Sequence, residues 1–284
     1  MKRIAILGVS GYIGRALSYE LSTKRDIELM LFSGSEEKVM SFFHRAGIQN
    51  VPRIFPYESF NKESYDVVIN CTGIGNPVVL TQAPETVLEV TEKFDNLILE
   101  NLAQHNETLY VYLSSGIVKG QQSPYALSKI QAEGRHRAHS DLRIVDIRAY
   151  SFFSRFADID SGFLMSEILG AIKNHTVFET SSEDIIRDFV CAADLWRFIE
   201  AFMEQKVING AYDIYSVKPV SKFELLEALH ASFGLEYKIK EEAVFISPTG
   251  LKNTYIPLCH KAGKLGYVPK YSSLQCIIEE LEKV

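Results

Sequence analysis

The segment Ile4–Gly14, IAILGVSGYIG, joins a short apolar run to a turn that contains three glycines. Gly8, Gly11 and Gly14 have the spacing G-x-x-G-x-x-G, and apolar residues at helical spacing follow them. Glycines allow a tight turn, and the N-terminus of the next helix presents free N–H groups to a pyrophosphate. A strand before such a turn and a helix after it predict a dinucleotide site. The turn residues expected to bind the cofactor are Gly8, Ser10, Gly11, Tyr12, Ile13 and Gly14.

Strand-like and helix-like segments alternate through the first half of the chain. Apolar runs at Ile27–Phe32, Asp66–Asn70 and Leu109–Leu113 predict buried strands, and Pro84–Leu102 is the clearest predicted helix. Buried strands that alternate with helices indicate a parallel sheet covered on both faces. The sequence therefore predicts an α/β fold with a Rossmann-type, doubly wound parallel sheet.

The pattern changes near residue 150. Helices and one short strand at Ala211–Tyr215 are predicted beyond it, and Lys238–Pro269 is irregular and rich in proline and glycine. We predict that residues 1–150 form a dinucleotide-binding domain, to which residues 186–215 return. Residues 151–185 and 216–284 are predicted to form a smaller, mixed α/β lobe that binds substrate.

Composition excludes several classes of protein. The formal net charge of −6 argues against nucleic acid as a partner. No run of about 18 apolar residues is present, so we expect no membrane span. The four cysteines lie far apart without a C-x-x-C pair, which fits a cytoplasmic protein with reduced thiols. The seven histidines lack metal-ligand spacing, and we predict no metal site.

The stretch Ser114–Lys129, SSGIVKGQQSPYALSK, contains a candidate proton-transfer site. Tyr125 and Lys129 share one face if this segment is helical, and Ser115 follows a predicted strand. A Tyr side chain has an ordinary pKa of about 10, which a nearby ammonium and a cationic nicotinamide would lower. Tyr125 would then exchange a proton with a carbonyl oxygen that Ser115 also contacts, while Lys129 also holds cofactor ribose. The alternative is polar surface, because Tyr-x-x-x-Lys is common on helices.

The end of the second predicted strand bears on the choice of cofactor. The usual NAD site has an acidic residue there, which binds the ribose diol. This chain has Phe32-Ser33-Gly34-Ser35 and no acid before Glu36. A 2′-phosphate would meet no repulsion, the Ser33 hydroxyl could donate to it, and Lys38 could reach it. NADP(H) is therefore favoured over NAD(H).

Several motifs in order resemble those of the extended short-chain dehydrogenase/reductase family, in its NAD-dependent epimerase/dehydratase branch. These are GVSGYIG, VINCTG (68–73), SSGIVKG, YALSK, RAYSFF (148–153) and RDFVCAADL (187–195). The resemblance implies a nucleotide-diphosphate sugar as substrate, with Arg187 gripping the diphosphate. For Arg187, a salt bridge to Asp184 or Asp188 is the alternative. The other residues that the resemblance places in the site are Cys71, Thr72, Gly73, Tyr125 and Lys129 beside the cofactor and Ser151 beside the sugar.

Departures from the family pattern narrow the reaction that the resemblance implies. Dehydratases have an Asp-Glu pair after the catalytic hydroxyl residue, where this chain has Gly116-Ile117. The short segment from Ser115 to Tyr125 is similar to sugar-nucleotide 4-ketoreductases such as CDP-paratose synthase. This implies an NAD(P)H-dependent oxidoreductase of polysaccharide biosynthesis that reduces a nucleotide-diphosphate-linked 4-keto-6-deoxy sugar. A 4-epimerase, a nucleotide-sugar dehydrogenase and a non-catalytic nucleotide sensor are the alternatives. The family also implies a homodimer through the helices from Pro84 and Tyr125.

Overall fold

A computed structural model describes residues 1–75, 82–120, 123–240 and 253–284. The strands are β1 Lys2–Leu7, β2 Ile27–Phe32, β3 Arg53–Phe55, β4 Val67–Asn70, β5 Leu109–Ser115, β6 Ile144–Ala149, β7 Ser151–Phe152, β8 Phe178–Thr180, β9 Ile186–Arg187, β10 Phe189–Val190, β11 Asn209–Asp213, β12 Val220–Ser221, β13 Tyr237–Ile239 and β14 Thr254–Tyr255. The helices are α1 Tyr12–Ser22, α2 Glu36–Arg45, α3 Pro84–Leu102, α4 Pro124–Ala138, α5 Leu164–Asn174, α6 Ala192–Met203, α7 Lys222–Phe233 and α8 Ser273–Leu281.

The main sheet has seven strands in the order β11-β6-β5-β4-β1-β2-β3, and every neighbouring pair is parallel. β1 lies between β4 and β2, so the chain winds outward in both directions from this position. In such a sheet the crevice at the carboxyl ends of the strands beside the switch point is where ligands bind. The prediction of a Rossmann-type, doubly wound parallel sheet is confirmed.

Both faces of the sheet are covered by helices because successive side chains of a strand point to opposite faces. On one face, Ile4 and Ile6 of β1 share an apolar cluster with Leu17 of α1. On the other face, Ala5 and Leu7 share a cluster with Ile98 and Leu102 of α3. The apolar run of β1 is therefore continuous rather than alternating, which is the pattern of a fully buried parallel strand.

A third apolar cluster gathers helices from the second half of the chain. It includes Ile168 of α5, Leu226 of α7 and Ile277 of α8, all fully buried. Short strands border it, and β9 pairs with β12 on one side and with β14 on the other. β11, from the same half of the chain, extends the main sheet beyond β6. The domain boundaries near residues 150, 186 and 215 stay a prediction.

Several elements differ from the sequence-based expectations. The strand expected at Ala211–Tyr215 runs over Asn209–Asp213, and β3 was not predicted. The segment expected to be irregular, Lys238–Pro269, contains β14 and a 3₁₀ turn at Lys261–Leu265. Residues 241–252 of that segment lie outside the described residues. Strands of two or three residues are too short to display the period-2 pattern by which strands are identified.

The described part of the chain contains no helix that is both long and apolar enough to cross a membrane. Within the same residues, no group of three or more His, Cys, Asp or Glu side chains is arranged to hold a metal ion.

Candidate active site

The glycine turn packs tightly between β1, β4 and α1. Gly8 has a φ of +81°, and a Cβ there would lie 2.8 Å from the Thr72 nitrogen. A Cβ on Gly14 would overlap the Gly8 carbonyl oxygen. Gly11 is the N-cap of α1 and has no side chain that could satisfy the first N–H groups, and the first turn carries no acid. These backbone donors and the absence of side chains in the turn fit the pyrophosphate of a dinucleotide.

We expect Gly14→Ala to raise the dissociation constant for the dinucleotide at least about tenfold, because the added methyl pushes α1 off the turn and overpacking costs about 1–3 kcal/mol. Fluorescence titration with reduced cofactor measures this. Gly170→Ala in α5 is the matched control, since its Cβ would meet only Ile159, at 3.8 Å. Unchanged cofactor affinity in a folded Gly14→Ala variant would contradict the prediction.

The turn after β4 lies between the glycine turn and Lys129. The Asn70 Oδ1 atom holds it by accepting hydrogen bonds from Thr72 N (2.9 Å) and Thr72 Oγ1 (2.6 Å). Gly73 has a φ of +139°, and a Cβ there would lie 3.7 Å from Lys129 Nζ. Burial raises the pKa of the Cys71 thiol to about 12, so the thiol is neutral at ordinary pH. Three expected cofactor contacts, Cys71, Thr72 and Gly73, are thus brought together beside Lys129.

Helix α4 carries Tyr125 and Lys129 on successive turns. It begins with Ser123 as N-cap, whose Oγ accepts a hydrogen bond from Ala126 N (3.1 Å), and with Pro124 as its first residue. Both residue types are favoured at these positions. Lys129 Nζ donates to the Leu113 carbonyl oxygen (2.7 Å) and lies 5.6 Å from the centroid of the Tyr125 ring. The helix start therefore directs both side chains toward the end of β5.

Ser115 is the last residue of β5, and its Oγ accepts a hydrogen bond from Ile117 N (3.3 Å). The Ser115 side chain is also close enough to the Tyr125 phenol to offset part of the burial-induced rise in its pKa. Ser114 points elsewhere, since its Oγ donates to Glu133 Oε1 (2.6 Å). The structure thus brings Ser115, Tyr125 and Lys129 together, and it separates Ser114 from them.

The pKa values in this cluster differ from the sequence-based expectation. Burial raises the pKa of Tyr125 to about 12, and its hydrogen bond with Ser115 offsets only part of that effect. Burial also lowers the pKa of Lys129 to about 8. The expectation that Lys129 lowers the pKa of Tyr125 is therefore wrong for the chain itself. The ammonium faces the Leu113 carbonyl and the Tyr112 ring, whose centroid is 4.5 Å away, rather than the phenol oxygen.

In the turn after β2, the serine hydroxyl groups form hydrogen bonds within the turn itself. Ser33 Oγ donates to the Ser35 carbonyl oxygen and accepts from Ser35 N, both at 3.1 Å. Ser35 in turn caps α2, whose first turn carries Glu36 and Glu37. The Ser33 proton that was expected to bind a 2′-phosphate is thus already committed to the turn.

Arg187 lies in β9, half-buried, and its Nη1 donates to the Ile186 carbonyl oxygen (2.9 Å). The neighbouring acids are occupied otherwise, because Asp184 and Asp188 accept hydrogen bonds from backbone N–H groups at 3.2 and 3.0 Å. Arg187 forms no ion pair within residues 1–75, 82–120, 123–240 and 253–284. The alternative of a salt bridge to Asp184 or Asp188 is therefore wrong. Burial lowers the pKa of Arg187, as expected for a cation held without a carboxylate.

Comparison with known proteins agrees with this arrangement. Residues 4–217 match the family model described as the NAD dependent epimerase/dehydratase family. The chain belongs to this family.

Individual members resemble the chain over nearly its whole length. It is 22% identical to a GDP-6-deoxy-D-talose 4-dehydrogenase from Aggregatibacter actinomycetemcomitans, over 99% of this chain and 97% of that protein. A UDP-glucuronic acid 4-epimerase from Bacillus cereus superposes with a TM-score of 0.81 at 15% identity, covering 99% of this chain and 98% of the epimerase. A dTDP-glucose 4,6-dehydratase from Bacillus anthracis superposes with a TM-score of 0.76 at 15% identity, covering 100% and 96% of the two chains. These structures share the fold of this family member.

Tyr255 is a residue of the site that the sequence-based reasoning missed. It lies in β14, in register with Arg187 of β9, and is 5% exposed. Burial raises the pKa of Tyr255, an effect that the nearby Ser115 side chain partly offsets, and the Tyr255 ring centroid is 4.9 Å from that of Tyr150. Tyr255 is therefore paired with Arg187 and lies near Ser115. A two-residue strand within a proline- and glycine-rich segment leaves no periodic signal by which this position could be found.

Directly after Ser115, Gly116 packs against the ring of Tyr150. A Cβ on Gly116 would lie 2.7 Å from the Tyr150 ring, so any larger residue there would have to displace that ring. The Tyr150 hydroxyl donates to buried Asp213 Oδ2 (3.3 Å), which also forms an ion pair with Lys119. Ser151 begins β7 directly after Tyr150 and is half-buried. Asp213 is therefore paired rather than available for chemistry on a sugar.

A buried charge network lies beneath the site. His136 of α4 is fully buried, and its ring nitrogens bond to Asp95 Oδ1 (2.6 Å) and Asp146 Oδ1 (2.5 Å). Arg135 and Arg137 bind the second oxygens of these two acids. Burial alone would lower the pKa of His136, but the two carboxylates outweigh it and raise that pKa to about 9. His136 is therefore an imidazolium at neutral pH, as two buried carboxylates require.

Proposed function

We propose that this chain is an NAD(P)H-dependent reductase of a nucleotide-diphosphate-linked 4-keto-6-deoxy sugar, acting at the C4 carbonyl. The observation that carries the proposal is the cluster of Ser115, Tyr125 and Lys129 at the carboxyl end of β5, next to Gly73. Hydroxyl groups that converge beside a dinucleotide turn suit proton transfer to a carbonyl oxygen.

Each residue of the cluster has a distinct task in this reaction. A bound reduced nicotinamide supplies a hydride to the C4 carbon. Tyr125 transfers its phenol proton to the C4 oxygen and regains a proton from water. Ser115 donates a hydrogen bond to that same oxygen as negative charge develops on it. Lys129, held by the Leu113 carbonyl, binds cofactor ribose.

Reduction suits this site better than dehydration. A 4,6-dehydration requires an acid and a base at the sugar C5 and C6, and positions 116 and 117 are Gly and Ile. Gly116 also lies against the Tyr150 ring, which leaves no room for a carboxylate side chain. The relative at 22% identity is by its name a 4-dehydrogenase of a GDP-6-deoxy sugar, the same hydride exchange in the opposite direction.

The decisive test is a substrate screen with the purified chain. CDP-, dTDP-, GDP- and UDP-linked 4-keto-6-deoxy sugars are mixed with NADPH or NADH, and the absorbance of the reduced nicotinamide is followed. We expect stoichiometric consumption of the reduced cofactor with at least one sugar. The 4-epimerase alternative predicts tightly bound NAD and no net consumption, and the nucleotide-sugar dehydrogenase alternative predicts reduction of NAD(P)⁺ by an unmodified sugar. A nucleotide sensor would neither consume the reduced cofactor nor reduce NAD(P)⁺.

Preference for NADP(H) stays a prediction, and the same screen tests it. The absence of an acid at the end of β2 favours NADPH. In contrast, Glu36 and Glu37 at the start of α2 would repel a 2′-phosphate, and the Ser33 hydroxyl already donates its proton to the Ser35 carbonyl oxygen. The ratio of kcat/KM for NADPH and NADH decides between the two.

Arg187→Gln is expected to raise the KM for the nucleotide sugar about 10–100-fold with a smaller change in kcat. Among the described residues the guanidinium has no carboxylate partner, and Arg187 is in register with Tyr255 of β14, so it is available for the diphosphate. Initial rates against sugar concentration measure the effect, and cofactor KM serves as the control. A changed cofactor KM with an unchanged sugar KM would mean that Arg187 binds the cofactor and not the nucleotide sugar, contrary to the prediction.

We also propose a cytoplasmic homodimer that pairs α3 and α4 with their copies. On α4, Leu127 and Ile130 are 40% and 42% exposed and lie one turn apart. Apolar side chains that share one helix face favour contact with a second helix. Sedimentation equilibrium of the wild type and of Leu127→Glu tests this pairing.

A further inference from the structure

We infer that Tyr110 is a positioning residue whose phenol, held by a buried carboxylate, orients the Asn70 carboxamide and thereby fixes Thr72 in the turn proposed to line the cofactor site. The inference rests on the dinucleotide site of the proposed function. It is the same whether that site supports reduction or epimerisation. Tyr110 lies within β5 and is not among the site residues predicted from the sequence.

A continuous run of hydrogen bonds joins Asp95 of α3 to the turn after β4. The Tyr110 hydroxyl donates to Asp95 Oδ1 (2.9 Å). Asn70 Nδ2 donates to the Tyr110 oxygen (2.9 Å), and Asn70 Oδ1 accepts from Thr72 N (2.9 Å) and Thr72 Oγ1 (2.6 Å). Asp95, Tyr110 and Asn70 are fully buried, so water does not compete for the bonds between them.

The direction of each bond follows from the charge on Asp95. A carboxylate only accepts, so the Tyr110 hydroxyl must donate its single proton to it. The Tyr110 oxygen can then only accept from Asn70, which turns the amide nitrogen toward the phenol and the amide oxygen toward Thr72. The opposite orientation would set the amide nitrogen against the Thr72 N–H, with two donors facing each other.

Asp95 keeps its charge although it is buried. Its Oδ1 atom also bonds His136 Nε2 (2.6 Å), and its Oδ2 atom accepts from Arg135 Nε (2.7 Å). Burial alone would raise the pKa of Asp95, but His136 and Arg135 outweigh it and lower that pKa. The carboxylate is therefore a fixed acceptor at neutral pH, and the Tyr110 hydroxyl keeps one orientation.

Thr72 connects this run of hydrogen bonds to the proposed cofactor site. A Cβ on Gly8 would lie 2.8 Å from Thr72 N, so the turn after β4 packs directly against the glycine turn. The next residue, Gly73, lies beside Lys129, because a Cβ there would be 3.7 Å from Lys129 Nζ. A shift of Thr72 therefore disturbs both the glycine turn and the surface beside Lys129, and the cofactor is proposed to contact both.

The first test is a double-mutant cycle on the full chain, measured by fluorescence titration with NADPH and with NADH. Tyr110→Phe removes only the hydroxyl, and it should raise the dissociation constant of the reduced cofactor about three- to tenfold. Asn70→Ala should raise it at least as much. In the Asn70→Ala background, Tyr110→Phe should cost less than about twofold, because its effect passes through the missing carboxamide.

Tyr65→Phe is the matched control. Tyr65 belongs to the same apolar cluster as Tyr110, is 5% exposed, and donates from its hydroxyl to the Phe60 carbonyl oxygen (2.7 Å). This variant loses a comparable buried hydrogen bond that does not lead to Thr72, and its dissociation constant should stay within about twofold of the wild type. An equal rise in Tyr65→Phe would overturn the role of Tyr110, since lost stability would then explain both.

A second readout needs no cofactor and follows amide hydrogen exchange by NMR. In Tyr110→Phe, the Thr72 amide should exchange at least about tenfold faster, because its acceptor is no longer held in place. The neighbouring Cys71 amide donates to the Leu7 carbonyl oxygen (3.0 Å) and should change only as much as overall stability does. Exchange at Thr72 that does not rise relative to Cys71 would overturn the inference.

Failure of the proposed function gives a different pattern of results. A chain that binds the reduced cofactor yet reduces no keto sugar is not a reductase, and the titrations still decide the role of Tyr110. Equal losses on Tyr110→Phe with and without Asn70 would overturn that role while the reductase function stands. A wild-type chain that binds neither NADPH nor NADH would overturn both.

Discussion

Replacing Tyr125 by phenylalanine should lower kcat about 10²–10⁴-fold while the dissociation constant of the cofactor stays within about twofold. General acid–base catalysis by a positioned side chain contributes an effect of this size. The pKa of Tyr125 is about 12, so the phenol holds its proton at neutral pH and is ready to donate it. The variant keeps the ring that lies beside Lys129 Nζ, so the cofactor contacts remain. Single-turnover rates and cofactor titration measure the two quantities.

Ser114→Ala is the control for the catalytic cluster, since Ser114 bonds Glu133 rather than the site. It should change stability more than it changes kcat. Turnover that survives Tyr125→Phe undiminished would disprove the mechanism, because the mechanism assigns the proton transfer to Tyr125.

The second large effect is on folding, for which we expect His136→Leu to lower the free energy of unfolding by about 3–5 kcal/mol. Removing one partner of a buried ion network leaves part of the remaining charge uncompensated, and that cost has this magnitude; Arg135 and Arg137 still pair one oxygen of each acid, but the oxygen that bonded His136 loses its charged partner. Here Asp95 and Asp146 would face an apolar side chain in a region with no access to water. Urea unfolding at neutral pH measures the change. His139→Leu, at an exposed position at the end of the same helix, should stay within about 0.5 kcal/mol.

The dependence on pH identifies the charge as the cause. The folded pKa of His136 is about 9, above its ordinary value of 6.5, so its stabilising effect is complete below about pH 6.5 and is lost as the pH rises through 9. Lys129 changes the stability in the opposite direction. Because its pKa is lowered to about 8, its contribution to stability increases as the pH rises through 8. The quantity to follow is therefore the difference between wild type and His136→Leu, in which Lys129 cancels. A difference that stays constant from about pH 6 to about pH 10 would mean that packing, and not charge, is lost.

The two predictions concern opposite ends of helix α4, one a proposed catalytic role and the other stability. Tyr125 and Lys129 occupy the first turns of α4 and face the end of β5, while His136 occupies the last turns and anchors α4 to β6 and α3 through Asp146 and Asp95. A strong anchor at one end of a helix holds the side chains at the other end in position. Precise positioning of this kind contributes to rate as directly as the choice of residue does.

Local patterns were sufficient to predict the glycine turn and the convergence of Ser115, Tyr125 and Lys129, the proposed catalytic cluster. The turn at Gly8, Gly11 and Gly14 depends on neighbours in sequence, and so does the helix-start spacing of Tyr125 and Lys129. The parallel sheet followed from continuous apolar strands that alternate with helices. The pKa of Tyr125 did not follow, because the direction of the Lys129 ammonium depends on Leu113 and Tyr112 of β5.

The sequence by itself determined the Rossmann-type sheet, the glycine turn and the Ser-Tyr-Lys residues, because each of these is encoded in a contiguous stretch with its own periodicity or spacing. Only the tertiary structure paired Tyr255 with Arg187, kept Arg187 out of salt bridges with Asp184 and Asp188, and enclosed His136 between two aspartates. Each of these contacts joins elements that are distant in the chain. They arise from the packing of strands and helices whose own sequence patterns do not indicate which other elements they contact.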